Sequence, residues 1–461
     1  ALAAAENMLG QLPGHDEVPS RLAAAEVRFA LARRTGALPA ARAAAADAVA
    51  LVRRLPPESL ERHPGLHGQL GAAQALVEFW SGDFAQAAAA FRAASPAMQS
   101  AYERAGCLGR LAQIEAVSGR LTSAMTLAAD AAELFRQDLT AEHPHRAATV
   151  ARAYVHLQRH ELAEARRQLR GAEAALRASP DRLTAALASL VAARGCLAEG
   201  RFREAAEIVA RARDGWSAPP WLERHLALVE SHAFAAVRDT GAALAAARRA
   251  GPESSLEAAA AMARAWLAAG DGQAAEQALT AAAHACEGSP DPARIEATLA
   301  EAHLAASSGE RGHAARLVEQ ALRLAEAEQL RLPFIVERGW LEPLLDSDPG
   351  LARAYRDVMG PRQLEGGPGR ARAAIAGTPS AVQSHAVAGA ADDAPLVVES
   401  LTEREREVLR HVSELLLTAE IASEMYVSVN TVKSHLKSIF RKLGAASRNE
   451  AVRRARQLEL I

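Results

Sequence analysis

Eight times between residues 36 and 309 the chain repeats one short pattern: a small or turn-forming residue followed, five positions later, by alanine. It reads GALPAA from Gly36, GDFAQA from Gly82, GRLTSA from Gly119, HELAEA from His160, GRFREA from Gly200, RDTGAA from Arg238, GDGQAA from Gly270 and GERGHA from Gly309, a mean spacing of about 39 residues. Each copy ends one apolar helical stretch and opens another, as in ALVEFWSGDFAQAAAAFRAA. A period of this length marks stacked supersecondary units. Glycine takes the left-handed conformation that a helix C-cap needs. After a short turn the alanine falls on the inner face of the next helix, where a small side chain lets two backbones approach. The pattern predicts helical hairpins that bury one face against the next and stack into a solenoid with a concave surface.

Composition agrees. Half of the 461 residues are apolar but only 4% are aromatic, so the core is built from Ala, Leu and Val. Alanine has the highest helix propensity, whereas a large sheet protein would need more Val, Ile, Thr and Tyr. The expectation is an all-α protein. GDFAQA and GRFREA resemble the mid-repeat turn of tetratricopeptide (TPR) repeats, although the period exceeds the usual length and the terminal proline is mostly absent. Residues 1–358 therefore read as a degenerate TPR-like helical-hairpin solenoid, with an irregular helical bundle as the alternative. Such a region implies a scaffold that binds a protein or a ligand.

Several function classes are disfavoured. The net charge of −2 leaves no global electrostatic bias, so any nucleic-acid footprint must be local. Cys107, Cys196 and Cys286 are scattered, which fits reduced, buried thiols in a cytoplasmic protein. His143, His145 and His284 beside Cys286 do not make the convergent four-ligand set of a structural zinc site. No run of 18 uncharged apolar residues suggests a membrane span, and residues 1–30 lack the pattern of a signal peptide. The opening ALAAAENMLG has mid-helix character and no initiator Met, as expected for the C-terminal part of a longer protein. No nucleophile–base pair, metal cluster or phosphate loop stands out, so no enzymatic activity or cofactor is expected in this chain. With no lysine before Lys433, a Walker lysine is impossible and ATP would need an ATPase domain upstream.

Residues 359–399, rich in Gly, Pro, Ala and Ser, read as a flexible linker. Residues 400–461 form a second domain. All three lysines of the chain, Lys433, Lys437 and Lys442, lie in SVNTVKSHLKSIFRKLG, residues 428–444, together with Arg441 and no acidic residue. Four helices are expected here. Thr402 with Glu405 is a capping box for the first, Thr418 caps the second, Ser428 the third, and Ser447 with Glu450 opens the fourth. In the third, Val429, Val432, Leu436, Ile439 and Leu443 recur at helical spacing on one face. Asn430, Lys433, Ser434, Lys437 and Arg441 lie opposite. A short helix, a tight turn and a helix with a basic outer face is a helix-turn-helix, whose third helix suits a DNA major groove.

LTEREREVL, AEIASEM, VSVNTVKSHLKSIFRKLG and SRNEAV, in that order, resemble the blocks of the LuxR-type helix-turn-helix domain of bacterial transcription regulators. The resemblance implies double-stranded operator DNA as the partner, base contacts from Lys433, Ser434 and Lys437, and positions near the DNA backbone for Thr431, Arg441 and Lys442. Ser428 and Asn430 complete the DNA-binding set. Val452 and Ala455 match the dimerisation helix, so a homodimer on DNA is expected, with RNA polymerase as a further partner. Leu415 stands where the family usually has glycine, and Glu459 where it often ends in glycine. The apolar loop at Leu415 to Leu417 is expected either to dock the domain on a neighbour or to complete its own core. LRLPFIVERGWLEPLL, residues 330–345, is similar to the segment that closes the helical repeats of large ATP-binding, maltose-regulator-like LuxR regulators. That resemblance implies a repeat region that senses an inducer or protein partner. The competing reading is a TPR-like interaction scaffold with a degenerate DNA-binding domain.

Overall fold

A computed structural model describes residues 25, 28–29, 31–32, 37–54, 65–137, 146–177, 181–252, 255–282, 291–360 and 401–413, together with 425, 431–432, 435–436, 438–439, 442 and 455. Every regular element among them is helical. The chain divides into two compact units, Ala1–Pro368 and Gly369–Ile461. In the first, α1 (Leu38–Val52) precedes seven hairpins. These are α2 (Leu66–Ser81) with α3 (Phe84–Ala94), α4 (Ala101–Val117) with α5 (Leu121–Gln137), and α6 (Arg146–Gln158) with α7 (Leu162–Arg177). Next come α8 (Arg182–Ala198) with α9 (Phe202–Arg213) and α10 (Pro220–Ala236) with α11 (Thr240–Ala250). The last two are α12 (Leu256–Ala269) with α13 (Gly272–Ala281) and α14 (Asp291–Ser307) with α15 (Arg311–Glu326). Three shorter helices close the unit: α16 (Leu332–Val336), α17 (Arg338–Ser347) and α18 (Pro349–Met359).

One turn makes all seven hairpins. Gly82, Gly119, Gly200, Gly270 and Gly309 have φ between 75° and 88°, and the two copies without glycine reach the same region, His160 at 57° and Arg238 at 62°. In each, the turn residue's N–H donates to the carbonyl three residues back and the next N–H to the carbonyl five back, as Gly82 does to Phe79 (3.2 Å) and Asp83 to Glu78 (3.0 Å). These are Schellman bonds that satisfy the carbonyls a helix end leaves open. The same next residue caps the following helix; Asp83, Asp239 and Asp271 each accept the N–H three residues on. The repeat alanine then donates the first helical hydrogen bond to that cap's carbonyl. The eight alanines of the pattern, from Ala41 to Ala314, are at most 4% exposed, because the first helix of the pair lies directly over them.

The first helices of successive pairs, α4, α6, α8, α10, α12 and α14, pack each on the next. The row curves so tightly that distant pairs meet. Trp221 of α10 stacks on Phe79 of α2 with ring centroids 5.2 Å apart, and its indole N–H donates to the Phe79 carbonyl at 2.8 Å. The Thr122 N–H and hydroxyl at the start of α5 both donate to the Glu328 carboxylate beyond α15, each at 2.8 Å.

The concave side is consequently not an open groove along its whole length. Helix α16 touches α6, α8 and α14 together and covers the middle of the concavity. Its main chain is tied in by the Arg331 N–H, which donates to the Gln158 carbonyl at 2.9 Å, and Arg338 donates to the Ala198 carbonyl at 2.8 Å. Between α16 and α17 the buried Glu337 accepts from Arg264 Nε at 2.5 Å and from the Trp340 indole at 2.7 Å, and Trp340 stacks on His303 at 4.8 Å. Burial alone would raise the Glu337 carboxyl, but the Arg264 charge and the indole N–H outweigh it and hold it at about 2. Burial and the charge of Arg264 push His232 down to about 3, so its imidazole is neutral.

Cys107 and Cys196 are buried free thiols, and burial pushes Cys107 up to about 11. Cys286, His143, His145 and His284 lie outside the described residues, as does the expected linker from residue 361 onward.

Candidate nucleic-acid interface

The second unit is described from Leu401 through α19 (Glu403–Ser413) and at scattered later positions. Thr402 and Glu405 make the expected capping box: the Glu405 N–H donates to Thr402 Oγ1 at 3.3 Å, and the Thr402 N–H donates to Glu405 Oε2 at 2.8 Å. The buried face of α19 carries Val408 and Leu409, both fully enclosed.

Of the third expected helix, residues 431, 432, 435, 436, 438, 439 and 442 are helical. Val432 and Ile439 are completely buried, Leu436 is half-buried and Thr431 is exposed. Val432 and Ile439, seven residues apart, therefore face inward at the expected spacing.

Glu405 does more than cap α19. Its Oε1 accepts the Ser438 hydroxyl at 2.6 Å and its Oε2 accepts from Lys442 Nζ at 2.8 Å. The Lys442 side chain is only 13% exposed and that of Glu405 5%. Burial by itself would raise this carboxyl. The Lys442 ammonium, the Ser438 hydroxyl and the Thr402 donors prevail and hold it at about 2. One carboxylate thus fastens the start of the first helix to the C-terminal half of the third.

Lys442, expected near the DNA backbone, places its ammonium on Glu405 within the single chain. Ala455, expected on a dimer surface, is buried within the single chain. The residue that sequence reasoning missed is Glu405 as a clamp. The capping-box spacing revealed its local role, but its reach to 438 and 442 depends on how the two helices cross. Ser428, Asn430, Lys433, Ser434, Lys437, Arg441, Val452 and the Leu415 to Leu417 loop lie outside the described residues, as do the caps expected at Thr418 and Ser447 with Glu450.

Comparison with known proteins bears on this unit. Residues 399–455 match the profile of bacterial regulatory proteins of the luxR family. The chain is 49% identical over 59 residues to the putative HTH-type transcriptional regulator Mb0914c of Mycobacterium bovis, a match covering 12% of this chain and 7% of that protein. It is 41% identical over 58 residues to the HTH-type transcriptional regulator MalT of Serratia proteamaculans, covering 13% of this chain and 6% of MalT. Across the repeats, a Rap protein complexed with Competence and Sporulation Factor is similar over 76% of this chain and 91% of that one, at 14% identity and a TM-score of 0.42, too loose a likeness to carry an argument. No described helix is long and apolar enough to cross a membrane. With the family's profile spanning the described capping box and the clamped helix alike, the C-terminal domain of this chain is a LuxR-family regulatory domain.

Proposed function

We propose that this chain is a sequence-specific DNA-binding transcription regulator. The third helix of its C-terminal domain reads a double-stranded operator, and its helical-repeat unit senses an inducer or protein partner. The observation that carries the reading is the LuxR-family match over residues 399–455, joined to the Glu405–Lys442 clamp that anchors the helix bearing Lys433 and Lys437. In this reading Lys433, Ser434 and Lys437 donate to base edges. Ser428, Asn430, Thr431, Arg441 and Lys442 contact the phosphate backbone or flanking edges. The domain binds as a homodimer through the fourth helix around Val452 and Ala455, residues 359–399 tether it to the repeats, and RNA polymerase is the downstream partner.

The test is a gel shift with an operator selected from random duplex DNA. Lys433→Ala or Lys437→Ala costs roughly 1–3 kcal/mol of specific affinity if each donates to a base. Unaltered binding by both variants would overturn the assignment and favour the scaffold reading.

A further inference from the structure

The first unit has a partly open pocket of about 50 Å³ where α16 lies across the inner helices. Its polar lining is Gln158, Arg194, His232, Arg264, Glu296 and Glu337. Arg264 and Glu337 are paired with each other. Arg194 comes from α8 and has the Tyr154 hydroxyl as its hydrogen-bond partner at 3.2 Å. Glu296 comes from α14 and forms no salt bridge among the described residues, although it lies near enough to support the charge of Arg264. Neither the Gln158 amide nor the His232 imidazole makes a side-chain hydrogen bond among the described residues, yet both residues are at least nine-tenths buried. Buried polar groups of this kind are normally satisfied, and here they converge on one space. Apolar side chains, among them Leu228, Val229 and Val336, form the rest of the wall.

We propose that this cavity is the site for a small zwitterion of the apolar α-amino-acid type, its carboxylate on Arg194 and the Gln158 amide, its ammonium on Glu296, and its side chain against Leu228, Val229 and Val336. The charge balance of the lining selects the class. Two guanidinium groups face two carboxylates, so a ligand of one sign would add a charge without a counterpart to a neutral lining. A zwitterion meets both signs and keeps the site neutral, and the neutral His232 adds no charge to upset the balance.

A five-residue helix, α16, forms the movable wall. It follows the left-handed Gln329 (φ 57°) and ends at the Arg264–Glu337 pair. An occupant larger than the resting cavity displaces it, and α16 leads through α17 and α18 directly to Met359, where the connection to the second unit begins. This assignment rests on the reading of the repeats as a sensor and gives that sensor its ligand class.

The experiment uses the full chain. Its thermal unfolding midpoint is followed against L-leucine, against 4-methylpentanoate, which lacks the ammonium, against isoamylamine, which lacks the carboxylate, and against glycerol. The other common L-amino acids are run in parallel. Expected is a saturable rise with leucine or another apolar amino acid and none with the single-ended analogues. Calorimetry on Glu296→Gln and Arg194→Gln is expected to show roughly tenfold or greater weakening. The assignment is overturned if no amino acid binds at about 10 mM, if an analogue or glycerol binds as well as the amino acid, or if both variants bind like the parent. Gel shifts on the same protein separate the two readings. A chain that binds the amino acid but no DNA overturns the regulator reading and leaves the cavity assignment standing; one that binds DNA but no amino acid does the reverse.

Discussion

Glu405 shows how much one side chain can be asked to do. Its carboxylate closes a capping box, accepts a hydroxyl from Ser438 and neutralises Lys442. Charge-assisted hydrogen bonds in such a protected setting are worth about 1.5–3 kcal/mol. Glu405→Ala and Lys442→Ala are each expected to destabilise the C-terminal domain by about that much. The double variant should cost clearly less than the sum, since the two residues act through one contact. Chemical denaturation of the four proteins checks this, and additive losses would separate the pair. Lys442 is also proposed to lie near the DNA backbone, so Lys442→Ala should weaken binding to all sequences about equally and flatten its salt dependence. The pH dependence has a definite sign. A carboxyl held at about 2 against an ordinary value of 4.5 contributes stability that is complete above pH 4.5 and is lost as pH falls toward 2. The gap between the parent and Glu405→Gln should therefore close across that window.

At the scale of the element, the hairpin turn demands a left-handed residue and offers no choice about it. Gly270 has φ 84° and open space around its Cα, so Gly270→Ala is expected to cost about 1 kcal/mol from backbone strain alone. Gly119 has the same φ, but an added Cβ would lie 2.8 Å from the Pro292 ring at the start of α14. Gly119→Ala should therefore cost more than Gly270→Ala. Arg238 already bears the strain at φ 62°, so Arg238→Gly should stabilise by about 1 kcal/mol, less whatever unfolded-state entropy glycine adds. Thermal unfolding of the three variants orders them, and equal effects for Gly119 and Gly270 would deny the contact between α5's turn and α14. The repeat alanines work from the other side of the turn. Ala205 and Ala275 are fully buried, and enlarging either to Val is expected to cost about 1–3 kcal/mol by overpacking.

At the scale of the whole molecule, the curvature of the repeat stack buries groups that a straight solenoid would leave wet. His225 is pushed to about 4 and His232 to about 3, by burial first and then by the charges of Arg194 and Arg264 respectively. A histidine whose folded value lies below its ordinary 6.5 stabilises the fold fully above that pH, and the contribution is lost as pH falls toward the folded value, because the unfolded chain takes the proton first. At pH 5.5 each such histidine costs about 1.4 kcal/mol relative to neutral pH. The repeat unit should therefore lose about 2–3 kcal/mol between pH 7.5 and 5.5. Denaturation at the two pH values checks it, and His232→Asn should remove about half of the slope.

Much of this protein is written in local pattern. The all-α class, the hairpin turns, the buried alanines from Ala41 to Ala314, the capping box at Thr402 and the inward stripe of Val432 and Ile439 all follow from interactions within a few residues of chain. Periodicity and turn chemistry report such interactions directly. Family resemblance at the C-terminus was legible for the same reason, since its blocks are contiguous. What pattern could not reveal depends on angles between elements. The hand and pitch of the repeat stack bring Trp221 onto Phe79 and lay α16 across the concavity. The crossing of the first and third helices of the C-terminal domain brings Lys442 onto Glu405. These angles are sums of many small packing choices spread over hundreds of residues, and no short stretch of sequence encodes them.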